Sequence, residues 1–123
     1  MATILIVDDD SSVADVVALV LDGEGHRTDT ASDATETLKK LSQGGIQGVI
    51  LDVWLGADDG LALADKLAQL NEPPPFIVMS GGGPGRSLET VTARADALGA
   101  RAVLYKPFDD DELIAAVNDL LGL

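Results

Sequence analysis

Two groups of carboxylates stand out in the sequence: Asp8, Asp9 and Asp10 in "ILIVDDD", and Asp52 in "GVILD", each directly after an apolar run. Ser80 ends another such run, "PFIVMS", and Lys106 follows a further one in "AVLYKPF". Carboxylates brought together repel one another unless a cation joins them. A hard divalent ion answers that need, since Mg²⁺ takes one or two carboxylates, keeps several waters and accepts a phosphate oxygen. Lys106 adds a compact positive charge, and Ser80 adds a hydroxyl donor. The set suits phosphoryl transfer, with metal, ammonium and hydroxyl for the phosphoryl oxygens and a carboxylate to attack phosphorus.

A different phosphate chemistry competes for Ser80. The stretch "SGGGPGRS", residues 80–87, follows an apolar run and precedes a helical pattern, as a nucleotide-binding P-loop does. Ser80 stands where that motif needs its first Gly, and Arg86 stands where it needs Lys. A small P-loop nucleotide binder is therefore disfavoured.

The elements that must hold these residues alternate along the chain. Strands are read near 3–7, 27–31, 48–52, 75–80 and 101–105, most of them apolar runs, with helical patterns near 11–22, 33–42, 60–70, 87–98 and 110–121. Val13, Val16, Val17, Val20 and Leu21 are spaced for one buried stripe on the first helix. Gly23, Gly25, Gly44, Gly45 and Gly99 sit where helices should end, and "PPP" at 73–75 is a loop leading into an extended run. Five βα units in this length predict an α/β fold with a parallel sheet covered on both faces. In such sheets ligands bind outside the carboxyl ends of the strands. Asp8, Asp9, Asp52, Ser80 and Lys106 all fall there.

Other polar groups have plainer uses. Ser12 and Asp15 are spaced as a capping box, and Asp10 reads as a capping or solvated acid rather than a metal ligand. "DDDEL", 109–113, complements the dipole at the start of the last helix. Asp58 and Asp59 precede Gly60 in a solvated turn. His26, the single histidine, falls at the start of the second strand, away from the carboxylates, and reads as a surface residue.

A length of 123 residues suits one domain over 1–123, and 46% apolar residues exclude a disordered tail. There is no Cys, so no disulfide or thiolate site. No apolar run is long enough to span a membrane. "MATILIV" lacks a basic n-region, so a cytoplasmic location is expected. With 21 acidic against 8 basic residues, the surface repels a phosphate backbone, which argues against nucleic-acid binding and favours cations or partners with basic faces.

Over essentially its full length the sequence resembles the receiver domain of two-component response regulators. The matching residues are "ILIVDDD", "LDVWLGADDG", Ser80 and "KPF". The resemblance implies a flavodoxin-like, doubly wound five-stranded sheet in the order 2-1-3-4-5 with five helices. It implies Asp52 as phosphate acceptor and a Mg²⁺ site made by Asp8, Asp9, Asp52 and the backbone carbonyl of Trp54, with Asp9 a more direct ligand than Asp8. Ser80 and Lys106 would bind the phosphoryl oxygens, and the Lys106–Pro107 bond would be cis. The phosphate would come from the phosphohistidine of a histidine kinase or phosphotransfer protein. The face of the fourth helix, fifth strand and fifth helix, with Val103, Tyr105 and Pro107, would then change and meet a downstream protein. Such a module passes its signal by protein contact or onward phosphotransfer and is not an enzyme in the usual sense. No output domain is read in these residues.

The sequence also departs from the family. The aromatic expected three residues before the Lys is Val103, and Tyr105, two residues on, points to the same side. Gly56 replaces a usual Pro, and "GGGPGR" makes the stretch after Ser80 longer and looser. Trp54 is bulky beside the site, where it would slow water's access to a phosphoaspartate. Two rival readings are a Mg²⁺-dependent aspartyl-phosphate phosphatase and a pseudo-receiver that is never phosphorylated. The first needs a substrate cap and a general acid that the chain does not display; the intact acidic set opposes the second.

Overall fold

In the computed structural model, residues 3–55, 58–81 and 88–123 are described. Gly56 and most of "GGGPGR", with the Arg86 of the P-loop comparison, lie outside the described residues. Five strands, β1 (Thr3–Val7), β2 (Arg27–Ala31), β3 (Gly48–Asp52), β4 (Phe76–Ser80) and β5 (Ala102–Tyr105), form one parallel sheet in the order β2-β1-β3-β4-β5. Five helices accompany them: α1 (Ser11–Gly23), α2 (Ala34–Ser42), α3 (Gly60–Ala68), α4 (Leu88–Ala97) and α5 (Asp110–Leu121). The expected strand order and helix number are both found. One feature was not foreseen, a short antiparallel pairing of Trp54–Leu55 with Asp58–Asp59 between β3 and α3.

Side chains alternate across each strand, and the two faces bury two separate cores. Leu5, Val7, Val49, Leu51 and Val78 pack with α3 and α4 through Leu61, Ala64, Leu67, Val91 and Ala95. Ile4, Ile6, Ile50, Ile77, Met79 and Leu104 pack with α1 and α5 through Ala14, Val17, Leu21, Leu113, Val117 and Leu120. Strands covered on both sides must be apolar at every position, which is why "ILIV" and "GVIL" carry no polar residue. Gly48 opens β3 under the α5 side chain Leu120, whose Cδ2 lies 2.7 Å from where a Cβ would stand.

Three local expectations are corrected. Asp10, not the Ser12–Asp15 pair, caps α1, its side chain accepting from the Ser12 N–H at 2.9 Å. The buried stripe of α1 centres on Ala14, Val17 and Leu21, and Val16, at its margin, is 60% exposed. Asp59 is no solvated turn acid: it caps α3, accepting from the Leu61 N–H at 2.9 Å. The helix ends follow the glycines, with Gly25, Gly44, Gly45 and Gly99 at positive φ, a region that L-side chains disfavour. Pro75 stays in the loop, its carbonyl accepting from the Val49 N–H.

Candidate functional site

The two-residue side-chain period explains how the charged residues meet. Asp8, Asp52 and Lys106 each lie two positions beyond a core residue on the α1–α5 side: Ile6, Ile50 and Leu104. Val7 pairs with Leu51 across β1 and β3, so the next residues, Asp8 and Asp52, come level where the strands end. Ser80 pairs with Tyr105, and its carbonyl accepts from the Lys106 N–H at 2.8 Å. That bond holds the lysine backbone at the same rim.

Asp52 is buried, with Oδ1 accepting from the Trp54 N–H at 2.9 Å and Oδ2 from Lys106 Nζ at 2.6 Å. Asp8 is buried beside it, with Oδ2 3.2 Å from Lys106 Nζ and Oδ1 accepting from the Asp10 N–H at 2.9 Å. Asp9 is exposed at the mouth. One oxygen from each of Asp8, Asp9 and Asp52 lies within 4.8 Å of the others.

Burial is the largest influence on Asp8 and raises its carboxyl pKa; the Asp10 N–H opposes it, the Asp52 charge reinforces it, and Lys106 opposes it. The balance lifts Asp8 from 3.8 to about 6. Burial alone would lower the Lys106 pKa, but its hydrogen bond and attraction to Asp52, with the same from Asp8, outweigh that and raise it. Lys106 is thus a fixed cation, and the two buried carboxylates, Asp8 and Asp52, share it. This donor set fits a hard divalent ion: it is all-oxygen and clustered, and the burial and mutual repulsion that raise Asp8 are what a bound cation would relieve.

The other expected residues take distinct places. Ser80 is fully buried at the end of β4. Trp54 is partly buried and packs against the core on the α2–α4 side. Val103 is half-buried in that same core, where the family's aromatic was expected. Tyr105 is 41% exposed and its hydroxyl shares a hydrogen bond with Thr92 Oγ1 of α4. The Lys106–Pro107 bond is cis, as expected. His26 begins at the opposite end of the sheet from the carboxylates. It is only half-exposed, and its Nδ1 is buried with no hydrogen-bond partner, so the reading of an ordinary surface residue needs that correction.

Gly60 is the residue that reading the sequence missed. A Cβ there would sit 2.0 Å from the Asp52 carbonyl oxygen and 2.8 Å from Val53 Cα. Its N–H donates to the Val53 carbonyl at 2.8 Å. The start of α3 therefore presses directly on the backbone that carries Asp52. The signal was present in "DDG", but only as a turn.

The sequence of residues 4–118 matches the model of the response regulator receiver domain. The chain belongs to the response regulator receiver family. An NtrX-like response regulator of Rickettsia bellii is 34% identical over 113 residues, 90% of this chain and 23% of that protein. The crystal structure of the NtrX receiver domain from Brucella abortus is 36% identical, with a TM-score of 0.87, covering 97% of this chain and 98% of that one. A CheY-like receiver domain protein from Methanospirillum hungatei is 28% identical, with a TM-score of 0.88, covering 99% of this chain and 94% of that one. The receiver thus spans about a quarter of the length of the NtrX-type relatives and nearly all of these two solved domains. Its acidic pocket of Asp8, Asp9 and Asp52 is of the kind that holds Mg²⁺ in receivers. Among the described residues, no helix is long and apolar enough to cross a membrane.

Proposed function

We propose that residues 1–123 act as one phosphoryl-accepting signalling unit in the cytoplasm, with Asp52 as the acceptor. The observation that carries this reading is the buried Asp52 carboxylate, with Oδ2 2.6 Å from Lys106 Nζ and the oxygens of Asp8 and Asp9 close by. A histidine kinase or phosphotransfer protein supplies the phosphoryl group. An Asp52 oxygen forms the new O–P bond as the donor's N–P bond breaks, and the freed imidazole leaves with a proton taken from water. Lys106 turns its ammonium from Asp52 Oδ2 to a phosphoryl oxygen, and the Ser80 hydroxyl donates to another. The Trp54 N–H stays on Asp52 Oδ1 and fixes the carboxylate plane. Asp8, Asp9, Asp52 and the Trp54 carbonyl would hold Mg²⁺, which neutralises charge on the phosphoryl oxygens.

Phosphorylation adds about −1.5 to −2 charges at the site. Lys106 and Ser80 follow the phosphoryl group, and their strands shift the α4–β5–α5 face toward its active population. Val103 fills the core position of the missing aromatic, so Tyr105, bonded to Thr92, and Pro107 are the side chains that would report the change. Output is by protein contact or onward phosphotransfer.

The test is incubation with Mg²⁺ and a small-molecule phosphodonor, read by intact mass and by emission from Trp54, the single tryptophan. The expected result is one added phosphoryl group, dependent on Mg²⁺ and absent in Asp52→Asn. A phosphoryl group that persists in Asp52→Asn would place acceptance elsewhere. No acceptance and no Mg²⁺ binding by calorimetry would make the chain a pseudo-receiver.

A further inference from the structure

β2 is the polar strand of the sheet. It reads Arg27, Thr28, Asp29, Thr30, Ala31, and only Ala31 is buried. As an edge strand it has β1 on one side and no strand on the other. Such an edge offers unpaired N–H and C=O groups to any further strand. In a parallel ladder, alternate residues turn these groups toward the same neighbour. The Ala31 carbonyl accepts from the Asp8 N–H, just past β1, and Leu5 and Val7 lie level with Asp29 and Ala31. The backbone groups of Arg27, Asp29 and Ala31 therefore serve β1, while those of Thr28 and Thr30 point outward.

Thr30 is closed off by its neighbours. Its N–H donates to Asp29 Oδ1 at 2.8 Å, and its carbonyl accepts from Lys40 Nζ at 2.5 Å. Lys40 Nζ also donates to Asp29 Oδ1 at 2.9 Å, so the three residues make one closed loop over the edge. The turn from β2 fixes the helix that brings this lysine. Asp33 Oδ1 accepts from the Glu36 N–H, and Glu36 Oε1 accepts from the Ser32 N–H. Both charges are committed to the contact. The Lys40 side chain is only 26% exposed. Burial pushes the Asp29 carboxyl pKa up, but Lys40 and the Thr30 N–H outweigh burial and lower it. A surface ion pair adds little stability by itself, so immobilising a long lysine here points to another use. Two of the four outward backbone groups of β2 are consumed by it. Thr28 retains the other two, and one residue is too short a stretch to seat a strand.

We infer that the loop of Asp29, Thr30 and Lys40 is an edge guard, which stops a second copy of this chain from adding its β2 to this one. The strand that fits this edge is β2 itself. In a two-fold antiparallel pair, Thr28 of each copy would face Thr30 of the other, and every outward group would be bonded. Two features oppose that pairing. The loop already holds both backbone groups of Thr30, and the Asp29 residues of the two copies would stand opposite each other as like charges. Without them the edge would be rich in threonine, a residue that favours strands. The guard needs no phosphate on Asp52, so it stands apart from the acceptor reading above.

The test is Asp29→Thr combined with Lys40→Ala, which opens the loop, removes the like charges and leaves the net charge unchanged. Lys39→Ala, at an exposed position of the same helix, is the control. Sedimentation over a range of concentrations should show the double variant associating into a dimer, while wild type and the control do not follow it. Adding Thr28→Pro to the double variant should abolish the dimer. Proline is tolerated where a strand's N–H faces solvent, and it removes a donor the pairing needs. A folded double variant that sediments as wild type does would overturn the inference, as would a dimer that survives Thr28→Pro. Amide exchange in the wild type tests the loop without any substitution. The Thr30 amide should exchange at least about tenfold more slowly than that of Thr28; equal rates would show that the loop is open in solution and would overturn the inference as well.

Discussion

Lys106 Nζ donates to Asp52 Oδ2 at 2.6 Å and also reaches Asp8 Oδ2 at 3.2 Å, so one ammonium bridges the two buried carboxylates of the site. In the absence of metal, that bridge is the main counter-charge among the described groups. Removing it leaves two carboxylates buried side by side, which is a costly arrangement.

Lys106→Met should therefore destabilise the metal-free protein by about 2–4 kcal/mol. The same variant should bind Mg²⁺ about tenfold more tightly, because the metal no longer competes with a neighbouring cation. Urea unfolding with and without Mg²⁺ separates the two effects. A variant that loses stability and Mg²⁺ affinity together would mean that the lysine mainly shapes the pocket.

Asp8 gives the site a pH signature. Its carboxyl is raised from 3.8 to about 6, so its share of stability is full below about 3.8 and is lost as pH rises through 6. At pH 7.5 the metal-free fold thus carries a buried carboxylate it disfavours, and Asp8→Asn should be more stable than wild type by about 1–3 kcal/mol. At pH 4 the difference should largely vanish. Mg²⁺ should reverse the order at pH 7.5, stabilising wild type and not the variant. The Asp29–Lys40 pair works in the opposite sense with pH, since burial is outweighed by Lys40 and the Asp29 carboxyl is lowered; comparing wild type with Asp8→Asn cancels it.

Gly60→Ala should cost about 2–4 kcal/mol and slow phosphoryl uptake. Its Cβ would lie 2.0 Å from the Asp52 carbonyl oxygen, and the atoms it meets are backbone of Asp52 and Val53, with no flexible side-chain end to yield. Chemical denaturation and the rate of reaction with a small phosphodonor are the readouts. A fully stable variant with wild-type uptake would show that α3 can retreat.

Trp54→Ala should shorten the lifetime of phosphorylated Asp52 by about threefold or more, because it removes a bulky side chain two residues from the acceptor and opens that end of the site to water. Radiolabel retention after donor removal measures it. Equal half-lives in wild type and variant would reduce Trp54 to a core-packing residue on the α2–α4 side.

Much of this architecture was legible in the sequence because its causes are local. Doubly covered strands must be apolar throughout, so "ILIV", "GVIL" and "FIVM" declared themselves, and positive-φ glycines such as Gly25 and Gly99 marked the ends of helices. The misreadings were also local in kind. Ser12 and Asp15 satisfied a capping pattern, but Asp10 is itself extended, with φ −89° and ψ 103°, and its side chain takes the cap. Val16 fitted a helical stripe, yet among the described residues no element covers it and it is 60% exposed.

By itself the sequence determined the identity and order of the strand ends, and hence which side chains stand at the carboxyl rim. Period and turn chemistry act over a few residues, and composition alone supplies them. Only the tertiary structure decided that Asp52 and Lys106, 54 residues apart in the chain, share a hydrogen bond, that Gly60 presses on the acceptor's backbone, and that Tyr105 turns to Thr92. Those relationships depend on strand register, helix placement and the burial that shifts a carboxyl's pKa, which arise when separate segments exclude water from one another.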